Sequence, residues 1–155
     1  MELTYCAASA EDIEAVYALC EQLILRYEQP EVTDIPGVLR WVRKKLERAI
    51  GQYTVIYADG QKAGYYHFFQ NADGQYELDD LYIFDGFQSR GIGSRVIEKC
   101  CASVPHPVFL YVFRENRRAV CLYQRLGFSV TQTIGSTRYL MKREHTPSPL
   151  RQPFG

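Results

Sequence analysis

Between Leu81 and Ser94 the chain passes from an apolar run, through a turn holding Gly91 and Gly93 one residue apart, into a helical pattern. A helix start leaves several backbone N–H groups without partners and carries a partial positive charge. Glycines let the main chain wrap closely around a bound group, because no Cβ stands in the way. Gln88, Ser89, Arg90, Gly91, Ile92, Gly93 and Ser94 therefore make a cradle suited to a phosphate or pyrophosphate. Two familiar phosphate loops are excluded. No Gly-x-x-x-x-Gly-Lys-Ser/Thr occurs, and the dinucleotide fingerprint needs a glycine at position 96, where Val96 stands. Taken alone, the glycine pair also fits a plain helix start.

The strand leading into the cradle carries Glu77, Asp79 and Asp80. Alternation predicts Glu77 and Asp79 on one face and Asp80 on the other. A carboxylate in a partly dry cleft has a raised pKa and accepts a proton directly or through water. The same acids also suit a solvated strand end. His67, beside Tyr65, Tyr66 and Phe68, offers another base or substrate contact, and its neighbours equally suit a structural role. Cys6, Cys20, Cys100, Cys101 and Cys121 form no Cys-x-x-Cys pair. Tetrahedral zinc needs clustered Cys or His, so no metal is expected and the thiols read as reduced and half-buried.

The elements that must hold these residues follow from period and punctuation. Leu3 to Ala7 reads as a strand, and Ser9 as the N-cap of a helix with Ile13, Val16, Tyr17, Cys20, Leu23 and Ile24 on one stripe. Pro30 and Pro36 bracket a polar connection. A second helix follows with Val38, Leu39, Val42, Leu46, Ala49 and Ile50 on one side. Arg40, Arg43, Lys44, Lys45 and Arg48 of that helix read as a solvated face. From Tyr53 the period becomes two. Tyr53 to Ala58, Lys62 to Gln70 and Tyr76 to Phe84 are predicted strands of a meander, separated by Asp59-Gly60 and Asp73-Gly74. A helix from Gly91 to Cys101 and a strand from Val108 to Phe113 complete a βαβ unit, whose two strands are parallel. A helix from about Asn116 to Leu126 ends at Gly127, where left-handed backbone is wanted. Phe128 to Ile134 and Thr137 to Lys142 form a closing hairpin around Gly135-Ser136. The expected fold is α/β (α+β): one domain over residues 1–144, with about seven strands and four helices. Its sheet is mixed and mostly antiparallel around a central parallel unit. Residues 145–155, with three prolines, read as a disordered tail.

In that order of elements the sequence resembles the GNAT superfamily, the Gcn5-related N-acetyltransferases. Gln88-Ser89-Arg90-Gly91-Ile92-Gly93 matches the family's Gln/Arg-x-x-Gly-x-Gly/Ala acetyl-CoA motif. Asn116 to Phe128 matches its Asn-x-x-Ala-x-x-Leu-Tyr-x-x-x-Gly-Phe signature, through Ala119, Leu122, Tyr123 and Gly127. Asp85 departs from the pattern, since many relatives have proline there, and this alters only the turn. The resemblance implies that acetyl-CoA is the acetyl donor, with its pyrophosphate against the amides of Gln88 to Ser94. It implies that the pantetheine arm pairs like an added strand with the backbone of Leu81, Tyr82 and Ile83, a use of unpaired main-chain groups. It also gives Asn116 a contact to the cofactor arm. Asn is equally a good N-cap, and both roles are compatible.

Acyl transfer to an amine poses two proton problems. An amine with a pKa of about 10.4 must lose a proton before attack, and the departing thiolate leaves better when an acid protonates it. The resemblance implies Tyr123 as that acid. Its spacing with Ala119, Leu122 and Leu126 fits a core stripe as well. Glu77 stands eleven residues before Gln88, the offset at which histone-type members place a glutamate base, although many relatives use water chains. Cys100, Cys101 and Cys121 are expected outside the cleft, so direct transfer in a ternary complex is expected rather than an acyl-cysteine.

Composition narrows the partners. Eighteen Lys and Arg balance eighteen Asp and Glu, which gives no basic excess for a nucleic acid. Neither a secretory signal nor an apolar run near the roughly 20 residues of a membrane span is seen, so the expectation is a cytoplasmic protein, monomer or homodimer. Its acceptor would be a small-molecule or peptide amine, with protein N-termini, lysines or a non-catalytic acyl-CoA sensor as the competing readings. Tyr27, Glu28, Glu31 and Asp34 could rim the acceptor site and attract a cation.

Overall fold

The stripe after Ser9 folds as α1 (Ile13–Tyr27), but a 3-10 turn, Ala10–Asp12, comes first. Ser9 N–H donates to Asp12 Oδ2 at 2.9 Å. The other oxygen of the buried Asp12 accepts from Lys62 Nζ at 2.9 Å and the Tyr65 hydroxyl at 2.8 Å, which ties the helix start to the sheet. α2 (Ile35–Ala49) is capped by Asp34, whose carboxylate accepts from Gly37 N–H, and it carries Pro36 in its first turn. Its basic run is not simply a solvated face. Arg43 pairs with Glu14 and sits 4.1 Å above the Tyr17 ring, while Lys45 is only 20% exposed and pairs with Asp79. Lys45 lies three residues from buried Val42 and next to buried Leu46, so its stem follows the apolar side and its ammonium must find a buried partner.

The computed structural model describes residues 1–146; the expected disordered tail, 145–155, falls almost wholly outside them. The strands are β1 (Leu3–Ala7), β2 (Thr54–Ala58), β3 (Gln61–Gln70), β4 (Tyr76–Ile83), β5 (Val108–Phe113), β6 (Ser129–Ile134) and β7 (Arg138–Arg143). They form one sheet in the order β1-β2-β3-β4-β5-β7-β6. The β2–β3–β4 meander is antiparallel, and β4–β5, joined through α3 (Ile92–Ala102), is the one parallel pair. The final helix is α4 (Arg117–Arg125). Asp59 and Gly60 both take left-handed backbone, φ 48° and 82°, as a tight hairpin with right-handed twist requires.

Two apolar cores lie on opposite faces of this sheet. One packs α3, through Ile92, Val96 and Ile97, against Leu78, Leu110 and Met141. The other packs α1 and α2, through Val16, Val42 and Leu46, against Tyr53, Val55 and Tyr65. β4 is the wall between them. Its parallel ladder with β5 holds only at Tyr76↔Val108 and Glu77↔Phe109; beyond it the two strands have no paired residues. On its other side β4 stays flush with β3 as far as Gly64↔Ile83. There a Cβ on Gly64 would sit 1.9 Å from Tyr82 O, so glycine is required.

Candidate active site

The open edge of β4 leads directly into the glycine turn. After a 3-10 turn, Asp85–Phe87, Ser89 and Gly91 take left-handed backbone, φ 64° and 78°. Ser89 is strained there, since a side chain disfavours that region. Gly91 is the N-cap of α3, and the first main-chain bond of the helix is Arg95 N–H to Gly91 O. Among the described residues no main-chain carbonyl accepts from the amides of Ser89 to Ser94. Alternating backbone of this kind points successive N–H groups into one concavity, which suits an anion.

A groove of about 420 Å³ runs along this turn, bounded by Leu81, Ile83, Gln88, Gly93, Leu122 and Tyr123. A Cβ on Gly93 would project to 3.7 Å from Leu122 and 3.9 Å from Ile83, both of which line the groove, so it would fill the cradle. Arg118 and Arg125 line the groove and no carboxylate does. Arg118 Nη2 donates to Ser89 Oγ at 2.7 Å and Nη1 to Gln88 Oε1 at 3.3 Å, which fastens the cation to the turn. Arg118 was missed as a site residue in the sequence. The signal was present: two arginines open α4, where the helix dipole disfavours cations, and such local conflicts mark functional positions.

The other expected site residues divide as follows. Leu81, Ile83, Gln88, Ser89, Gly91, Ile92, Gly93, Ser94 and Asn116 line the groove. Tyr82 turns its side chain to the opposite face, and its carbonyl faces Gly64 of β3. The Arg90 side chain is turned aside over Phe87, 5.5 Å from the ring centre, and is not part of the lining. Asn116 caps α4, its side chain accepting from Ala119 N–H at 3.4 Å.

On the other side of β4 lies a larger cavity of about 720 Å³ between α1, α2 and the β6–β7 turn. It shares Leu81, Asn116, Ala119 and Tyr123 with the first groove, so the two meet around the Tyr123 side chain. Burial first, and the negative charge of Asp80 second, push the Tyr123 hydroxyl up to about 12, which keeps it protonated at neutral pH.

Asp79 and Asp80 both line this second cavity, which corrects the alternation expected for β4. His67 opposes Asp80 while Phe68 opposes Leu78, so Asp79 is an extra residue on β4. Such a bulge re-aims side chains, and here it brings both carboxylates to the α1–α2 face. Asp79 pairs with Lys45 and lies 3.2 Å from His67 Nδ1. Burial opposes its charge, but the His67 hydrogen bond and Lys45 outweigh that and hold it below the usual carboxylate range. Asp80 accepts from the Tyr53 hydroxyl at 2.7 Å and the Tyr82 hydroxyl at 3.0 Å, and Tyr82 in turn meets Cys20 Sγ at 3.0 Å. Burial, then the neighbouring Asp79 charge, raises Asp80.

Glu77 lines neither cavity; it sits at the closed end of β4, paired with Phe109 and Phe69. Its carboxyl is raised by burial and then by Asp79. His67 is buried between the rings of Tyr53 and Phe69, 4.3 and 4.5 Å away, and its Nε2 has no partner among the described residues. Of the acids proposed for the rim, Glu28 lines the second cavity and Asp34 caps α2. Cys100, Cys101 and Cys121 line neither cavity, and all five cysteines are free. No group of three or more His, Cys, Asp or Glu among the described residues is placed to hold a metal ion. No helix among them is long and apolar enough to cross a membrane.

Comparison with known proteins agrees with this architecture. The chain is similar in fold to the PaiA N-acetyltransferase of Thermoplasma acidophilum solved with coenzyme A, with a TM-score of 0.66 at 20% identity over 93% of this chain and 99% of that one. An acetyltransferase from Thermus thermophilus gives a TM-score of 0.70 at 18% identity, over 93% and 97% of the two chains. Ard1 of Thermoplasma volcanium gives 0.64 at 19% identity, over 95% and 100%. The family model for the acetyltransferase (GNAT) family matches residues 14–128, which include β4, the glycine turn, α3 and α4. This chain belongs to the GNAT acetyltransferase family.

Proposed function

We propose that the protein is an acetyl-CoA-dependent N-acetyltransferase that acetylates a primary amine by direct attack in a ternary complex. The observation that carries this reading is the meeting of a cationic, amide-lined groove and an acid-bearing cavity at one phenol, Tyr123. The residues present fit coenzyme A. The free amides of Ser89 to Ser94 and the Arg118 guanidinium would hold its diphosphate, and the edge of β4 at Leu81 to Ile83, which β5 leaves uncovered and where Ile83 O accepts from the Gln88 side chain, would hold an amide chain. When bound, acetyl-CoA supplies a thioester carbonyl that an amine nitrogen can attack, forming the C–N bond as the C–S bond breaks.

The chain's own groups then have defined tasks. Tyr123 holds a proton at its hydroxyl, ready for the departing sulfur. Asp80 and Asp79 attract an ammonium into the second cavity. The proton it must lose passes to a raised carboxylate, Asp80 directly or Glu77 through water. The apolar walls of Leu81 and Ala119 limit water at the junction. The same reading has the enzyme work in the cytoplasm, supported by five cysteines that stay unpaired.

Calorimetric titration with coenzyme A and acetyl-CoA, followed by a thiol-release assay over an amine panel, tests the proposal. Saturable binding with amine-dependent thiol release is expected. Binding without turnover would make the protein a sensor, and no binding of any coenzyme A species would sink the reading.

A further inference from the structure

We infer that the acceptor is a small primary amine with a single positive charge on an apolar, ring-sized body, its nitrogen toward Asp80 and its body against Trp41. This rests on the acetyltransferase reading and narrows it. The charge on the cavity wall comes first. Three carboxylates, Glu28, Asp79 and Asp80, face two cations, Lys45 and Arg138, an excess of one negative charge. Lys45 bonds to Asp79 and reaches Asp80 only through its charge, whereas the hydrogen-bond partners of Asp80 are the neutral hydroxyls of Tyr53 and Tyr82. Asp80 is thus the carboxylate best able to accept one ammonium. A polyamine or an aminoglycoside carries several charges, and each would need its own carboxylate in a partly dry cavity.

The lining of the cavity includes the apolar Leu23, Ile24, Val38, Val42 and Phe113. Those five side chains offer no partner to hydroxyls or further ammonium groups. At the mouth, Trp41 is 58% exposed and Val32 71%. Of the six most exposed large apolar side chains among the described residues, three, Val32, Trp41 and Tyr111, line this one cavity. Exposed apolar side chains scattered singly need no explanation, but a group of them around an opening marks a surface that a ligand covers.

The rim also bounds the size of the occupant. Ser136 Oγ donates to Gln29 Oε1 at 3.1 Å, and Thr137 Oγ1 lies 3.3 Å from both oxygens of Glu28. These bonds tie the β6–β7 turn to the connection after α1. These bonds narrow the rim, which favours a compact amine over an extended polypeptide.

Trp41 is the only tryptophan in the chain, so its fluorescence reports directly on the mouth of the cavity. The protein, first shown by calorimetry to bind coenzyme A and then saturated with it, is titrated with 2-phenylethylamine, with spermidine and with a tetrapeptide bearing a free N-terminus. Half-saturation by 2-phenylethylamine is expected at a concentration about tenfold below the other two, the effect of burying one ring-sized apolar group. In the thiol-release assay Trp41→Ala should raise KM for 2-phenylethylamine about tenfold while kcat stays within about twofold. A lower half-saturation for spermidine or the peptide, or no response to 2-phenylethylamine, overturns the inference and leaves the acetyltransferase reading standing. Failure to bind coenzyme A sinks that reading instead.

Discussion

The groove on the α3 side of β4 and the cavity on the α1–α2 side share Leu81, Asn116, Ala119 and Tyr123, yet they are built from different materials. The groove presents main chain: free amides at a helix start, an open strand edge and glycines that keep Cβ atoms away. Its charge is wholly positive, from Arg118 and Arg125. The cavity recognises through side chains contributed by α1, α2, β4 and the β6–β7 turn, and its charge is net negative. Main-chain recognition depends on backbone geometry and tolerates change in many side chains. Side-chain recognition depends on identities at distant positions, so on the proposed function the cavity is where one acceptor is told from another. Tyr123 stands at the seam and belongs to both.

Changing the seam should have the largest effect. Tyr123→Phe removes the proton while keeping the ring that packs edge-on against Phe128 at 5.9 Å. A fall in kcat of about 100-fold is expected in the thiol-release assay, with the calorimetric Kd for coenzyme A unchanged. An active Tyr123→Phe enzyme would remove the phenol from the chemistry.

Gly93→Val tests the groove alone. The added side chain enters the space between Ile83 and Leu122, and overpacking of this kind costs about 1–3 kcal/mol. The Kd for coenzyme A should rise roughly ten- to a hundredfold, while acceptor KM at saturating cofactor moves little. Unaltered cofactor affinity would mean that the cradle does not hold the ligand.

Asp80→Asn tests the cavity alone and has a pH signature. Burial, with the charge of Asp79 second, raises both Asp80 and Glu77, so each binds its proton more tightly than a free carboxylate. As pH falls through those raised values the carboxylates neutralise; Asp80 loses its attraction for an ammonium, and both lose the capacity to take its proton. Wild-type kcat/KM should therefore drop on the acid side. In Asp80→Asn the acceptor KM should rise about tenfold at neutral pH, as expected for losing a charge-assisted hydrogen bond, and the acid limb should flatten. An unchanged acid limb would move the titrating group elsewhere.

Arg118→Ala should have the smallest effect. The guanidinium sits on an exposed turn, where solvent screens it. Coenzyme A affinity should weaken about fivefold at low salt and less as ionic strength rises. A salt-independent loss would show that Arg118 acts by shaping the turn rather than by its charge.

The contrast between the regions also governs how much of each was legible beforehand. Among the described residues, the seven strands, the four helices and the single parallel pair follow from period and punctuation, with ends shifted by a residue or two except at α1, which starts three residues late behind a 3-10 turn. Asp59-Gly60 and Gly127 adopt the left-handed backbone their types imply. The cradle was legible for the same reason: strand, glycines and helix start are neighbours in the chain. The cavity was not. Alternation put Asp80 across from Glu77 and Asp79, because nothing near Asp79 in sequence announces that it will be the bulged residue opposite β3. Lys45 read as part of a solvated run until Asp79, 34 residues away, proved to be its partner. Glu77 stands at the offset the family resemblance suggested, yet offset carries no information on which cavity a side chain lines.

By itself, then, the sequence determined the order and kind of the elements and the local anion cradle, since both depend on interactions within a few residues. Tertiary structure alone decided which acids face the second cavity, which lysine neutralises one of them, and that Tyr123 joins two cavities. Those outcomes depend on register between strands and on packing between helices distant in the chain, and no short-range pattern of residues encodes either.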